Sequence, residues 1–366
     1  MSVYSKENYL CFTAEEANST IRFGRVEEKD KQNFTKMETR FNDGEWKSYT
    51  LDDTIHLPQI GDKVYFRGDY HSANEGATHR FFMTGTIAAS GNIMTLTDYD
   101  HPSESLERKS FIFRELFKEC TSLTHAPELP AIILSPGCYQ AMFMECTSLI
   151  HTPQLPANEM KMWCYEDMFR DCHNLLDAPE LPSVKLQNEC YAYMFLRCYA
   201  MRNAPQLPAT EVASRCYVYM FGDCRSLTKI PDLPATKLDV ECYFGMFDGC
   251  KLITKAPDLP AKSLYWACYR EMFNDCISLT ESPFIAADSL EMTSCVNMFR
   301  GCSSLRKVRV AFTKWDSDNM RDEDRSTRNW LDNVAPEGEF ECPAELPSKF
   351  GTSWIPEGWK RKDISK

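Results

Sequence analysis

A repeat of fixed length constrains this chain more than any other feature. Phe is followed three residues later by Cys in eight copies, and successive copies lie 26 residues apart. The copies are Phe117, Phe143, Phe169, Phe195, Phe221, Phe247, Phe273 and Phe299, paired with Cys120, Cys146, Cys172, Cys198, Cys224, Cys250, Cys276 and Cys302. A unit this short cannot bury its own apolar face and needs neighbours on both sides. The sequence therefore predicts a solenoid, a stack of eight equivalent coils over residues 106–310.

The repeating unit, C-Y-x-x-M-F-x-x-C-x-S-L-x-x-A-P-x-L-P-A, combines two local patterns. The recurring residues of C-Y-x-x-M-F-x-x-C share one stripe of a helix, which predicts a short helix in each coil. The proline-rich remainder predicts an extended leg with only fragments of parallel sheet, because proline lacks the donor that a strand ladder needs. Helices pack about 8–10 Å apart and strands about 4.8 Å apart, so we expect a curved α/β array with its helices on the convex face.

The cysteine content of 17 has several possible explanations. A second column, in which each Cys precedes a Tyr, runs through Cys138, Cys164, Cys190, Cys216, Cys242 and Cys268. On a helix the two cysteines of one coil would lie about 12 Å apart, beyond the roughly 7 Å that a disulfide spans. We therefore interpret the Phe and Cys columns as structural core with free thiols, and we predict no metal and no cofactor. Disulfides between neighbouring coils and a metal site remain alternatives, although the seven intervening residues do not suit zinc.

Two columns of variable polar residues lie in the predicted legs. Residues that vary within a strict repeat are those that packing does not select, so we expect these side chains to be exposed and to bind a ligand. One column reads His125, His151, Asp177, Asn203, Lys229 and Lys255, and the other reads Glu128, Gln154, Glu180, Gln206, Asp232 and Asp258. They end at Glu281 and Phe284. A merely solvated face is the alternative, and a metal held by the His residues is a weaker one.

The segments on either side of the repeats read differently. Residues 1–105 alternate apolar and polar positions between turn signals such as Asp43-Gly44 and Ser90-Gly91-Asn92, which predicts a small, sandwich-like antiparallel β domain. Residues 311–366 are rich in charge, Trp and Pro. Because the open end of a solenoid exposes apolar surface, we interpret this segment as a C-terminal cap.

Charge and motifs exclude several functions. A net charge of −12 provides no footprint for nucleic acid or anionic lipid. The chain shows no apolar stretch of about 18 residues and no leader at its N-terminus, which predicts cytoplasmic synthesis without membrane insertion. None of the nucleophile-elbow, P-loop, zinc-protease or dinucleotide motifs occurs, so we predict no enzyme activity and no catalytic residues.

The motif M-F-x-x-C-x-S-L-T, found at Met220-Phe221 through Thr228, resembles the BspA-like leucine-rich-repeat family of gut Bacteroidetes. This unit is longer, replaces Ala by Met and adds the Cys-Tyr column. The resemblance implies a leucine-rich-repeat-like array at a cell surface that acts in adhesion or protein binding. Our expectation is thus a non-enzymatic binding or adhesion protein with a protein or glycan ligand. A phage or prophage virion component of the tail or fibre is the alternative, since no leader is visible.

Overall fold

The computed structural model describes residues 8–26, 36–71, 79–317 and 319–364. Residues 1–7, part of the segment interpreted as lacking a leader, lie outside the described residues. The chain divides into two compact units, Met1–Leu181 and Pro182–Lys366, which are described separately. The division falls inside the repeat array.

The described part of the first unit begins with eight strands in two sheets. They are β1 (Leu10–Ala14), β2 (Ser19–Arg25), β3 (Met37–Phe41), β4 (Lys47–Ser48), β5 (Ile55–Leu57), β6 (Lys63–Gly68), β7 (His79–Thr84) and β8 (Ile87–Ser90), followed by a 3-10 helix at Ile93–Leu96. With β9 (Leu123–His125) from the repeats, the sheet orders are β4-β3-β6-β1-β8-β9 and β5-β2-β7. Alternating burial along β2 and β6 buries one face of each strand. Phe12, Phe66 and Phe81 meet between the sheets, with ring centroids 4.8–5.7 Å apart.

The N-terminal strands supply the neighbour that the first coil needs. Strand β8 pairs in parallel with β9, which lies in the first leg. The Phe81 ring stacks on Phe117 at 5.2 Å, and the Phe81 carbonyl accepts a hydrogen bond from Cys120 Sγ at 3.2 Å. The next coil repeats this contact, because Cys146 Sγ donates to the Phe117 carbonyl at 3.0 Å. Strand β7 thus occupies the place of a preceding coil and covers apolar surface.

The prediction of a short helix in each coil is wrong, since the described residues contain no α-helix. The segment C-Y-x-x-M-F-x-x-C is instead a series of four-residue turns. Within the coil, Met142 N donates to Tyr139 O at 3.2 Å, and Cys146 N donates to Phe143 O at 3.0 Å. The intervening residues donate to the following coil, as Phe143 N does to Met168 O at 2.9 Å. Successive backbone N–H groups therefore alternate between acceptors in their own coil and acceptors in the following coil.

Left-handed residues explain why the turns do not continue as a helix. Ala141 has φ +52° and Glu145 has φ +63°, and equivalent positions recur four residues apart through the coils of both units. A non-glycine residue in this region costs about 1–2 kcal/mol. The N–H groups of Ala141 and Glu145 each donate to the next coil at 2.8 Å, which offsets that cost. Without helices, the spacing argument for a curved array with helices on its convex face has no basis.

The legs contain little regular sheet. Isolated parallel bridges join His125 to His151 in the first unit, and Lys255 to Glu281 in the second. Proline in each leg removes a ladder donor, which accounts for the short pairings. The second unit also holds a parallel sheet in the order β10 (Glu281–Ile285), β11 (Lys307–Val310), β12 (Glu339–Pro343) and β13 (Lys360–Ile364), with a 3-10 helix at Asp322–Asp324. The repeated contacts support our proposal that the coils of each unit stack as a solenoid.

The residues predicted to form the core lie in the interior. Every Phe of the eight-copy column, and every Cys paired with it, is at most 2% exposed. Within each unit, successive Phe rings of the column stack, as Phe117 does on Phe143 at 5.3 Å in the first unit and Phe221 on Phe247 at 5.7 Å in the second. All 17 cysteines are buried free thiols. Burial raises the pKa of Cys120 to about 12, so the reactive thiolate is scarce at neutral pH.

The C-terminal segment contains a further series of turns. Phe299 N donates to Trp330 O at 2.8 Å, and Gly301 N donates to Asp332 O at 2.8 Å. The partner of Phe299 lies 31 residues further along the chain, whereas the partner of Phe273, Met298, lies 25 residues further. An insertion therefore hides this copy from the sequence pattern. Trp330 is fully buried against the last regular coil.

Candidate binding site

Buried and exposed residues alternate along the legs, and the predicted ligand-binding residues lie at the exposed positions. In A-P-x-L-P, the Leu is buried at Leu155, Leu233 and Leu259, while the preceding residue is exposed. An extended backbone turns successive side chains to opposite faces, so Leu packs inward and its neighbour faces solvent. All twelve predicted ligand-binding residues are exposed: His125, His151, Asp177, Glu128, Gln154 and Glu180 in the first unit, and Asn203, Lys229, Lys255, Gln206, Asp232 and Asp258 in the second.

In the first unit, several of these side chains are already engaged by other residues. His151 Nδ1 lies 2.9 Å from Asp177 Oδ2, and His125 Nδ1 lies 4.0 Å from a carboxylate oxygen of Glu15. Glu128 accepts a hydrogen bond from Asn8 at 2.8 Å. The part of the chain that is described contains no group of three or more His, Cys, Asp or Glu placed to hold a metal ion. The alternative of a metal held by the His residues therefore gains no support.

In the second unit, the legs form an open groove with a volume of about 470 Å³. We call this cavity the leg groove. Its size falls within the range of small-ligand sites in proteins. The apolar part of its wall includes Leu233, Ala256 and the prolines Pro234, Pro257 and Pro260, and its charged side chains are Asp232, Lys255, Asp258, Glu281 and Arg309.

One pair of these charges is fixed within the protein. Arg309 Nη2 donates to Asp258 Oδ1 at 3.2 Å, and the same oxygen accepts from the backbone N–H of Phe284 at 2.8 Å. A register shift between β10 and β11 brings Arg309 opposite Phe284. The backbone N–H of Arg309 also donates to Ser282 Oγ at 3.1 Å, which ties this residue to the neighbouring leg. The Asp258–Arg309 pair is therefore an ion pair within the protein at the wall of the leg groove.

The other three charges remain available to a ligand. Asp232, Lys255 and Glu281 are exposed, and their side chains have no hydrogen-bond or ion-pair partner among the described residues. They lie on three successive legs, so the sign of the free charge alternates from one leg to the next. The leg groove thus presents a carboxylate, an ammonium and a second carboxylate beside a partly apolar wall.

Sequence reasoning placed Asp232, Lys255 and Asp258 among the ligand-binding residues, but not Glu281 or Arg309. Glu281 closes the first variable column and could have been included on that ground. Arg309 lies 26 residues after Pro283, where the proline column would continue. This replacement of Pro by Arg was a signal that the sequence offered for Arg309, because a charged side chain stands where the earlier legs carry proline.

Comparisons with protein-family models, with curated proteins and with solved structures find no match. The resemblance to BspA-like leucine-rich repeats therefore rests on the repeat motif. Over the described ranges, no helix combines the length and apolarity needed to cross a membrane.

Proposed function

We propose that this chain is a non-catalytic binding protein, and that the leg groove of its second unit holds a segment of a protein or glycan. The observation that carries the proposal is the set of unpaired charges at Asp232, Lys255 and Glu281 beside a partly apolar wall. Among the described residues of the wall, only Ser282 carries a hydroxyl, and this side chain is buried and donates to Pro283 O at 2.8 Å. It is therefore not presented as a nucleophile, which favours binding over catalysis.

The leg scaffold suits a binding role because it limits the entropy lost when a ligand binds. Proline fixes the backbone φ angle of each leg, and contacts between coils hold neighbouring legs in place. One such contact in the second unit is the hydrogen bond from Cys250 Sγ to the Phe221 carbonyl at 3.0 Å. Charges held on a stiff backbone need little further ordering, and such preorganisation increases affinity.

A binding screen with a matched variant tests the proposal. The full chain is applied to arrays of glycans and of peptides, and each hit is measured again with Lys255→Gln and with Lys229→Gln. Both lysines are exposed members of the same column, but only Lys255 lines the leg groove. We expect Lys255→Gln to weaken a genuine hit about tenfold, or about 1.4 kcal/mol, while Lys229→Gln changes it little. Equal effects of the two variants on every hit would contradict the leg groove as the site.

A further inference from the structure

We infer that the ligand of the leg groove is a basic protein segment whose Lys or Arg side chains bind Asp232 and Glu281. This inference rests on the proposed function and narrows its ligand to one class. After the Asp258–Arg309 pair is set aside, the free charges of the groove are two carboxylates and one ammonium. The complementary ligand carries two cationic groups, with a carbonyl or carboxylate between them to accept from Lys255.

The composition of the wall favours a peptide over a glycan. The residues that line the leg groove are charged residues, prolines, Leu233, Ala256 and Ser282, with no aromatic ring among those described. A sugar ring therefore has no aromatic face to stack on in this wall. The methylene stems of Lys and Arg pack well on aliphatic surface while their charged ends reach carboxylates. Pro234, Pro257 and Pro260 provide such surface beside the free carboxylates.

Long-range electrostatics favour the same ligand. The chain carries a net charge of −12, so a cationic partner is attracted before contact and an acidic one is repelled. Short-range selection then depends on the order of charges across three legs. Asp232, Lys255 and Glu281 lie on three successive legs, and an isolated parallel bridge joins Lys255 to Glu281. A ligand that crosses the legs meets negative, positive and negative groups in turn.

The experiment compares short synthetic peptides in which the same two positions carry Lys, Gln or Glu. Binding to the full chain is measured by titration calorimetry at about 50 and about 300 mM salt. We expect the Lys peptide to bind most tightly, and more weakly at the higher salt concentration. The double variant Asp232→Asn/Glu281→Gln should weaken it about tenfold.

The control is the double variant Asp177→Asn/Glu180→Gln in the first unit. It removes two exposed carboxylates from the same two columns, so it makes the same change in net charge outside the leg groove. We expect its affinity for the Lys peptide to stay within about twofold of the parent chain. Thermal unfolding of both double variants checks that each is folded.

Each outcome decides between the two proposals. Equal weakening by both double variants would mean general attraction to an acidic chain, and would overturn the inference. Groove-dependent binding of glycans or acidic peptides, lost in Lys255→Gln, would overturn the basic-peptide inference and leave the proposed function in place. Hits that never depend on a leg-groove residue would overturn both.

Discussion

Asp248 provides the most quantitative test of the packing between coils. Its carboxylate lies in the second unit, where Asn274 Nδ2 donates to Oδ1 at 2.7 Å. Burial raises the pKa of Asp248 to about 6 from an ordinary value of 3.8. The hydrogen bond from Asn274 opposes this rise, and the negative charges of Glu271 and Asp275 add to it. The ionised form of Asp248 therefore lowers the free energy of unfolding.

The magnitude follows from the size of that shift. A rise of about two pKa units corresponds to about 3 kcal/mol between the two protonation states. Because Asp248 is partly exposed, solvent screening reduces this to about 1–2 kcal/mol. The folded protein holds the proton more tightly than the unfolded chain, so the cost is full above about pH 6 and disappears as the pH falls towards 3.8. Asp248→Asn should therefore stabilise the protein above pH 6 and have little effect near pH 4.

The assay is thermal unfolding of the parent chain and Asp248→Asn across this pH range, with Asp232→Asn as a surface control in the same unit. Comparing the variants at each pH removes the general effect of acid on stability. We expect Asp248→Asn alone to raise the unfolding temperature by a few degrees at neutral pH. A gain that persists at pH 4, or an equal gain in Asp232→Asn, would refute the burial argument.

Three further predictions concern the core. Phe221→Ala removes a fully buried ring between Phe195 and Phe247, and chemical denaturation should show a loss of about 3–5 kcal/mol, whereas the half-exposed Phe350→Ala should change stability by less than about 0.5 kcal/mol. Cys224→Ala deletes the donor that reaches the Phe195 carbonyl at 3.2 Å, and should lower the free energy of unfolding by about 1–3 kcal/mol in the same assay. Cys224→Ser keeps a donor and should recover part of this loss. If Cys224→Ser and Cys224→Ala lose equal stability, the loss comes from packing and not from the hydrogen bond. Thiol titration of the denatured chain without reductant should detect all 17 cysteines, and a large deficit would mean that disulfides join neighbouring coils.

The helix prediction failed because two structures share one apolar pattern. A helix of 3.6 residues per turn and a series of four-residue turns both place positions i, i+4 and i+8 together. What separates them is a left-handed residue at every fourth position, such as Glu145, Asp171 or Gly249. The position immediately before the Cys of M-F-x-x-C is often Gly or Asp, and this was a local signal for the left-handed conformation. The stabilising bond, however, goes to the next coil, so local propensity alone does not reveal it.

The role of cysteine also depends on contacts between coils. Sequence reasoning interpreted the cysteines paired with the Phe column as structural core with free thiols, which matches their burial but does not include their hydrogen bonds. In each unit, thiols such as Cys172 and Cys250 donate to a Phe carbonyl 29 residues earlier. That partner is distant in sequence, so spacing within one unit gives no hint of it.

The sequence by itself determined the 26-residue step, the buried Phe and Cys columns and the exposed positions in the legs, because burial follows a strict local alternation between apolar and variable residues. Only the tertiary structure decided which exposed charges act together. Asp258 is engaged by Arg309, while the side chains of Asp232, Lys255 and Glu281, on successive legs, have no partner within the described part of the chain. The register shift between β10 and β11 places Arg309 opposite Phe284, within reach of Asp258. Pairing between strands sets this register, and no single repeat encodes it.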